Sequence, residues 1–239
     1  MALAAEAGRL LLDVRSSGLE GDDLKAAGDR RSHDLITKAL AGTFPEDGVL
    51  SEEGTDDQAR LEKERVWIVD PLDGTREFSE PPRTDWAVHV ALVVDGEAVA
   101  GAVALPAQGL TLGTAEPSAG VAGRRGPPRI LVSRTRPTEH ALLLADQLGG
   151  ELVPMGSAGA KAMAVVLDQG DVYVHSGGQY EWDSAAPVAV AAAAGLHVSR
   201  LDGSPLRYNQ PNPWLPDLLI CRPELADRVI TVCRDTSAS

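Results

Sequence analysis

The sequence predicts a layered α/β fold, and three observations carry that expectation. Apolar residues recur at helical spacing in the first stretch, a central run is β-rich around a hairpin signal, and the second half alternates strands with helices. In chain order, residues 2–17 place Leu3, Ala7, Leu10, Leu11 and Val14 on one helical face, with Gly18 as the stop. The string H-D-L-I-T-K-A-L-A-G-T-F-P repeats the pattern, and puts Asp29 just before or within the first turn of a second helix. Next, G-V-L-S-E-E-G reads as a short strand that delivers Glu52 and Glu53 to its end. A second strand, V-W-I-V-D-P-L-D-G-T, runs from four apolar residues into Asp70 and Asp73, with Pro71 fixing the backbone and Gly74 permitting a sharp exit.

Beyond it, D-W-A-V-H-V-A-L-V-V-D-G-E-A-V-A-G-A-V-A-L-P reads as a hairpin turning at Asp95-Gly96, the start of an antiparallel sheet. Residues 113–129 collect Gly, Pro and Ser, and mark a boundary between a subdomain of residues 1–120 and one of residues 121–239. There follow strand R-I-L-V-S, helix 138–148, strand E-L-V-P-M, a helix from about Ser157 to Leu167, strand D-V-Y-V-H and a helix over 184–194 stopped by Gly195.

Composition narrows the function. With 22 Lys and Arg against 35 Asp and Glu, the net charge of -13 argues against gripping a nucleic-acid polymer, while a small phosphorylated ligand fits if metal ions offset the acid. Cys221 and Cys233 lack metal-site spacing and read as buried or incidental thiols. Glu6, Arg9 and Asp13 spoil a signal-peptide core, and no apolar run reaches membrane-spanning length, so no membrane association is expected and cytoplasmic residence is the default.

The acids carry the chemistry. D-P and D-G are ordinary turn dipeptides, so the Asp70–Asp73 string reads either as a capped turn or as a charge-bearing site. Two close carboxylates repel each other and call for a proton or a cation between them, and a hard oxygen cluster suits Mg²⁺. Asp183 in E-W-D-S-A-A-P alone reads as a helix N-cap, and S-E-E-G alone as a solvated loop. His89 and His175 read as strand residues satisfied by neighbours, and Trp67, Trp86 and Trp182 as walls of the site or the core.

Taken together, V-L-S-E-E-G, W-I-V-D-P-L-D-G-T-R-E-F and E-W-D-S-A-A-P, in that order, resemble the inositol monophosphatase superfamily of magnesium-dependent, lithium-sensitive phosphatases over nearly the whole chain. The strings G-S-A-G-A-K-A-M-A-V and S-R-L-D-G-S-P-L-R-Y-N-Q look most like its CysQ-type 3′(2′),5′-bisphosphate nucleotidases. The resemblance implies an αβαβα sandwich, a homodimer, and a setting in sulfate assimilation. It implies two or three Mg²⁺ ions per site: Glu52, Asp70 and the Leu72 carbonyl for one, Asp70, Asp73 and Asp183 for a second, and a looser third sharing Glu52. Thr75, helped by Asp29, would orient the attacking water, although K-A-A-G-D stands where members often show T-x-A-D. Phosphate oxygens would meet Gly74, Thr75 and Arg76, and a second phosphate would meet Ser157, Lys161, Arg134 or Arg207. The implied reaction is in-line hydrolysis of a phosphomonoester, with adenosine 3′,5′-bisphosphate or its sulfated relative preferred over an inositol phosphate or fructose 1,6-bisphosphate.

Two other classes compete. A haloacid-dehalogenase phosphatase needs D-x-D-G-T, whereas this chain has D-x-x-D-G-T. A non-catalytic Mg²⁺- or nucleotide-binding regulator would tolerate the loss of Thr75 or Asp29, and a metal hydrolase would not.

Overall fold

The computed structural model describes residues 1–117 and 126–237. Two helices form the first layer, α1 (Ala2–Arg15) and α2 (Gly21–Thr43). Ala4, Ala7, Leu11 and Val14 of α1 are buried at the spacing of one helical face, and Gly18 beyond its end takes positive φ. The α2 helix begins well before the histidine-led string that predicts it, so Asp29 lies inside the helix and not at its start. Asp22 and Asp23 in its first turn favour that earlier start by opposing the helix dipole. Gly28 is the reason for the K-A-A-G-D string: a Cβ there would stand 2.9 Å from both Leu72 and Phe78, so glycine lets α2 lie close on the next layer.

That layer is a sheet of five strands in sequence order: β1 (Gly48–Ser51), β2 (Arg65–Asp73), β3 (Ala87–Val94), β4 (Glu97–Leu105) and β5 (Leu110–Gly113). The first pair is parallel and the rest are antiparallel. Asp95 and Gly96 turn the central hairpin with φ of 52° and 77°, the double positive φ of a type I′ turn. Between β2 and β3 stands the short helix α3 (Thr75–Phe78).

The second sheet has the order β7 (Glu151–Met155), β6 (Arg129–Ser133), β8 (Val172–Tyr180), β10 (Trp214–Cys221) and β9 (His197–Ser199). Helices α5 (Ala158–Val166) and α6 (Glu181–Ala193) supply buried residues to the core between the two sheets, while α4 (Glu139–Leu148) and α7 (Ala226–Ser237) contribute to the core on the far face of the second. A separate core lies under α1 and α2. The five layers form the αβαβα sandwich, the middle core spanning both faces of the α5–α6 layer. Sequence periodicity misses β9, β10 and α7, starts α6 three residues late, and stops β8 short of Tyr180, because Gly177 and Gly178, both at positive φ, interrupt its apolar pattern. The expected boundary at 120/121 lies outside the described residues.

Candidate active site

The end of β2 explains how two aspartates three positions apart face one site. In a regular strand residues i and i+3 point to opposite faces. Here Asp70 pairs with His89 and Asp73 with Ala87, so β2 carries one residue more than β3 across that interval. This bulge turns both carboxylates the same way. Asp183 joins them from the first turn of α6, and the three offer carboxylate oxygens within 4.8 Å of one another. It sits at N3 of the helix and not at the cap, its Oδ2 accepting from the Tyr180 amide at 2.7 Å. Glu52, just past β1, is exposed as a residue, but its carboxyl turns inward to hydrogen-bond Asp70.

The electrostatics of this cluster divide its members. Burial, followed by the charges of Glu52, Asp73 and Asp183, holds Asp70 well above the usual carboxylate range. Glu52 is pushed up to about 7 by burial of its carboxyl and by Asp183, and Asp183 up to about 6 by burial and by Asp73. Burial also works against ionised Asp73, yet His89, the Ser157 hydroxyl and the Gly159 amide together bring it down to about 2. One acid is therefore ionised by its partners, while three are held back by burial and by the neighbouring carboxylates. A divalent cation relieves that strain, and an all-carboxylate donor set with the nearby Leu72 carbonyl has the hard-oxygen chemistry that Mg²⁺ prefers.

Asp73 is fixed by the start of α5. Its Oδ2 accepts from Gly159 N at 2.6 Å and from the Ser157 hydroxyl, and its Oδ1 accepts from Ala158 N at 3.1 Å. His89, expected to be a bystander, completes this shell with Nε2 at 3.2 Å from Asp73 Oδ2. Its Nδ1 lies 3.0 Å from the Trp182 carbonyl, which can only accept, so Nδ1 carries a proton. Nε2 faces the ionised Asp73 carboxylate, which raises the pKa of the ring against the effect of burial and so favours its protonated form. Gly159 is required here, since a Cβ would overlap the imidazole. No local sequence signal marks His89, whose place opposite Asp70 follows from the pairing of β2 with β3.

Thr75 Oγ1 lies 3.1 Å from the Leu72 carbonyl and 3.5 Å from Asp29 Oδ1. Burial, and then Glu53, raises Asp29 to about 6. Ser32 Oγ donates to Pro71 O at 2.7 Å, which ties α2, and with it Asp29, to the same turn.

The basic candidates are placed differently. Lys161 is buried, its Nζ donating to the Ser157 carbonyl at 2.6 Å and to that of Gly156 at 3.3 Å, and burial lowers its pKa. Arg134 is committed to Glu77 and Glu80 at 2.9 and 3.0 Å. Arg76 is exposed and reaches Glu80 at 3.4 Å. Arg207 is a correction: it pairs with Glu97 at 2.8 Å beside Asp95-Gly96, at the opposite end of β3 from His89 and about 20 Å from it at strand rise. The R-Y-N-Q string that contains it serves the scaffold, because buried Glu181 accepts from the Asn209 and Gln210 amides at 2.6 and 2.8 Å. Arg136, not singled out by sequence, lines a cavity of about 380 Å³ with Ser133, Thr138, His175 and Gly178. Its charge and that of Lys161 both act on His175, after burial, to lower its pKa.

With this geometry, the sequence profile described as the inositol monophosphatase family matches residues 1–236. The chain belongs to that family. A 3′-phosphoadenosine 5′-phosphate phosphatase of Mycobacterium tuberculosis is 52% identical over 240 residues, covering 96% of this chain and 90% of the relative. The 3′(2′),5′-bisphosphate nucleotidase CysQ of Escherichia coli K12 is 32% identical over 200 residues, covering 79% of this chain and 81% of the relative. Among solved structures, CysQ from Bacteroides thetaiotaomicron superposes with a TM-score of 0.76 at 28% identity, covering 92% of this chain and 94% of that one. Inositol monophosphatase II of Staphylococcus aureus shares the fold, with a TM-score of 0.82 at 21% identity over 96% of this chain and 91% of that one.

Proposed function

We propose that this protein is a Mg²⁺-dependent phosphomonoesterase that removes the 3′-phosphate of adenosine 3′,5′-bisphosphate, and of its sulfated relative. The observation that carries the reading is the convergence of Asp70, Asp73 and Asp183 at the β2 bulge. The identity to the mycobacterial phosphatase supports the choice of substrate.

Glu52, Asp70 and the Leu72 carbonyl would hold one ion, and Asp70, Asp73 and Asp183 a second. When bound, Mg²⁺ lowers the pKa of a water and offsets charge on the phosphate and the leaving oxygen. The chain's own residues do the rest. Thr75 Oγ1 donates a hydrogen bond to the Leu72 carbonyl, which leaves an oxygen lone pair to orient the attacking water, and Asp29 takes the proton that this water loses. The Gly74 and Thr75 amides at the start of α3 receive phosphate oxygens, with Arg76 at the rim. Arg136 in its cavity, with Ser157 and Lys161 nearby, would receive the 5′-phosphate; among the described residues Arg136 has no ion-pair partner. Sensitivity to Li⁺, a homodimer, cytoplasmic residence and a role in sulfate assimilation accompany this reading from the resemblance. Among the described residues no helix is long and apolar enough to cross a membrane.

The test compares kcat/KM on adenosine 3′,5′-bisphosphate, inositol 1-phosphate and fructose 1,6-bisphosphate. The bisphosphonucleotide is expected to lead by about tenfold or more, a difference of about 1.4 kcal/mol. Equal or better turnover of inositol 1-phosphate would overturn the assignment.

A further inference from the structure

We propose that the Trp214 indole, with Tyr180 beside it, is the stacking surface for the purine base of the nucleotide; this rests on the reading of the substrate given above. Trp214 and Tyr180 are cross-strand partners at the ends of β10 and β8, so their side chains leave the sheet on the same face. Both are large aromatics that remain about half exposed, at 49% and 46%. Neither is loose. Gly178, on the same face two positions before Tyr180, holds the indole so closely that a Cβ would overlap its Nε1, and the backbone takes φ of 92° there. Tyr180 stacks on Trp182 with ring centroids 4.7 Å apart and planes within 9°. Each ring is thus supported from behind and presents surface outward.

Their position connects them to the chemistry. The Tyr180 amide donates to Asp183 at 2.7 Å, one of the three clustered acids. Gly178, against which the indole rests, also lines the cavity that contains Arg136. The aromatic pair is therefore linked to both places where a bisphosphorylated nucleoside would put its phosphates, through the Tyr180 amide on one side and Gly178 on the other. The ligand also needs something besides charge to hold it. Arg134 is committed to two glutamates, and Lys161 spends two of its three donors on backbone carbonyls. A flat aromatic ring needs no countercharge and binds a base through its π-face.

The experiment measures dissociation constants by calorimetry, with Mg²⁺ present, for AMP and for ribose 5-phosphate, which has no base. Wild-type protein should bind AMP more tightly. Trp214→Ala should weaken AMP by about tenfold and leave ribose 5-phosphate unchanged, while Trp214→Phe should stay within about threefold of wild type. Tyr180→Ala should show the same selective loss. Exposure of both side chains leaves the core intact, and circular dichroism checks the fold. The proposal is overturned if AMP affinity is unchanged in Trp214→Ala, or if both ligands weaken equally. It is also overturned if the variants turn a dimer into a monomer with AMP affinity retained, since a second copy would then be the occupant. Failure of the wild type to hydrolyse adenosine 3′,5′-bisphosphate would instead remove the assigned reaction, and the AMP and ribose 5-phosphate comparison would still decide the stacking surface.

Discussion

The His89 imidazole and the Asp73 carboxylate form a buried pair, with Nε2 3.2 Å from Oδ2 and both residues shut off from solvent. The ring holds the carboxylate ionised and aimed, as outer partners of metal ligands do. His89→Gln keeps a donor but loses the charge. The expected outcome is a fall in kcat of about 10- to 100-fold with a rise in the Mg²⁺ concentration for half-maximal rate. A Mg²⁺ titration of initial rates checks it; an unchanged titration midpoint would count against this role.

Asp73→Asn presents an NH₂ group to a site crowded with donors, from Ser157, Ala158, Gly159 and His89. Phosphate release should drop by more than about 100-fold. Stability should fall by about 1–3 kcal/mol, since a buried donor loses its acceptor, with the protein still folded. Retained turnover would remove the metal site as the seat of the reaction.

Thr75 is argued to place the water, and Asp29 to take its proton. Thr75→Ala should lower kcat by about 10²–10⁴-fold with little change in KM, and Thr75→Ser should recover most of it. Equal losses for the alanine and serine variants would show that the methyl group, and not the hydroxyl, matters.

Without Mg²⁺ the site makes stability fall as pH rises. Asp183, raised from 3.8 to about 6, and Glu52, from 4.5 to about 7, have folded-state values above their unfolded ones. Below about pH 4 both states are protonated and nothing is lost; between about 4 and 7 the unfolded chain ionises first, and the folded state bears the penalty. For Asp183 alone this reaches about 3 kcal/mol as an upper figure. Asp73, lowered to about 2, acts in the opposite sense, and its contribution disappears only as pH falls from about 4 towards 2. Melting curves in EDTA should therefore drop in Tm between pH 4.5 and 7.5, and Mg²⁺ should flatten the trend. A flat EDTA series would show that the acids do not crowd one another.

Arg207 lies far from the reacting end of β3 and holds only an exposed pair with Glu97. Arg207→Ala should leave KM for the bisphosphonucleotide within about twofold and cost less than about 1 kcal/mol of stability. A tenfold rise in KM would reinstate it as a ligand.

The acids were legible in the sequence because each closes a recognisable element: Glu52 after a short strand, Asp70 and Asp73 at the end of an apolar one, Asp183 at a helix start. The bulge that unites Asp70 with Asp73 depends on pairing with β3, which no local pattern encodes. His89 is not legible as a site residue, because a histidine inside an apolar strand carries no mark of what faces it. The position of Arg207 is not legible locally, because the partners that fix R-Y-N-Q, Glu181 and Arg60, are remote in sequence. The early start of α2 was hidden by glycines at 21 and 28, which read as breakers until the packing of Gly28 on Leu72 and Phe78 is known.

Asp73 leaves the first sheet, yet its carboxylate is seated on amides that follow it by more than eighty positions, and Asp183 arrives later still. A chain emerging from the ribosome therefore carries unmatched acids until its last third has been made and docked. Turnover begins only when distant segments have met, so the appearance of activity during synthesis or refolding would time the closing of the seam between the two sheets.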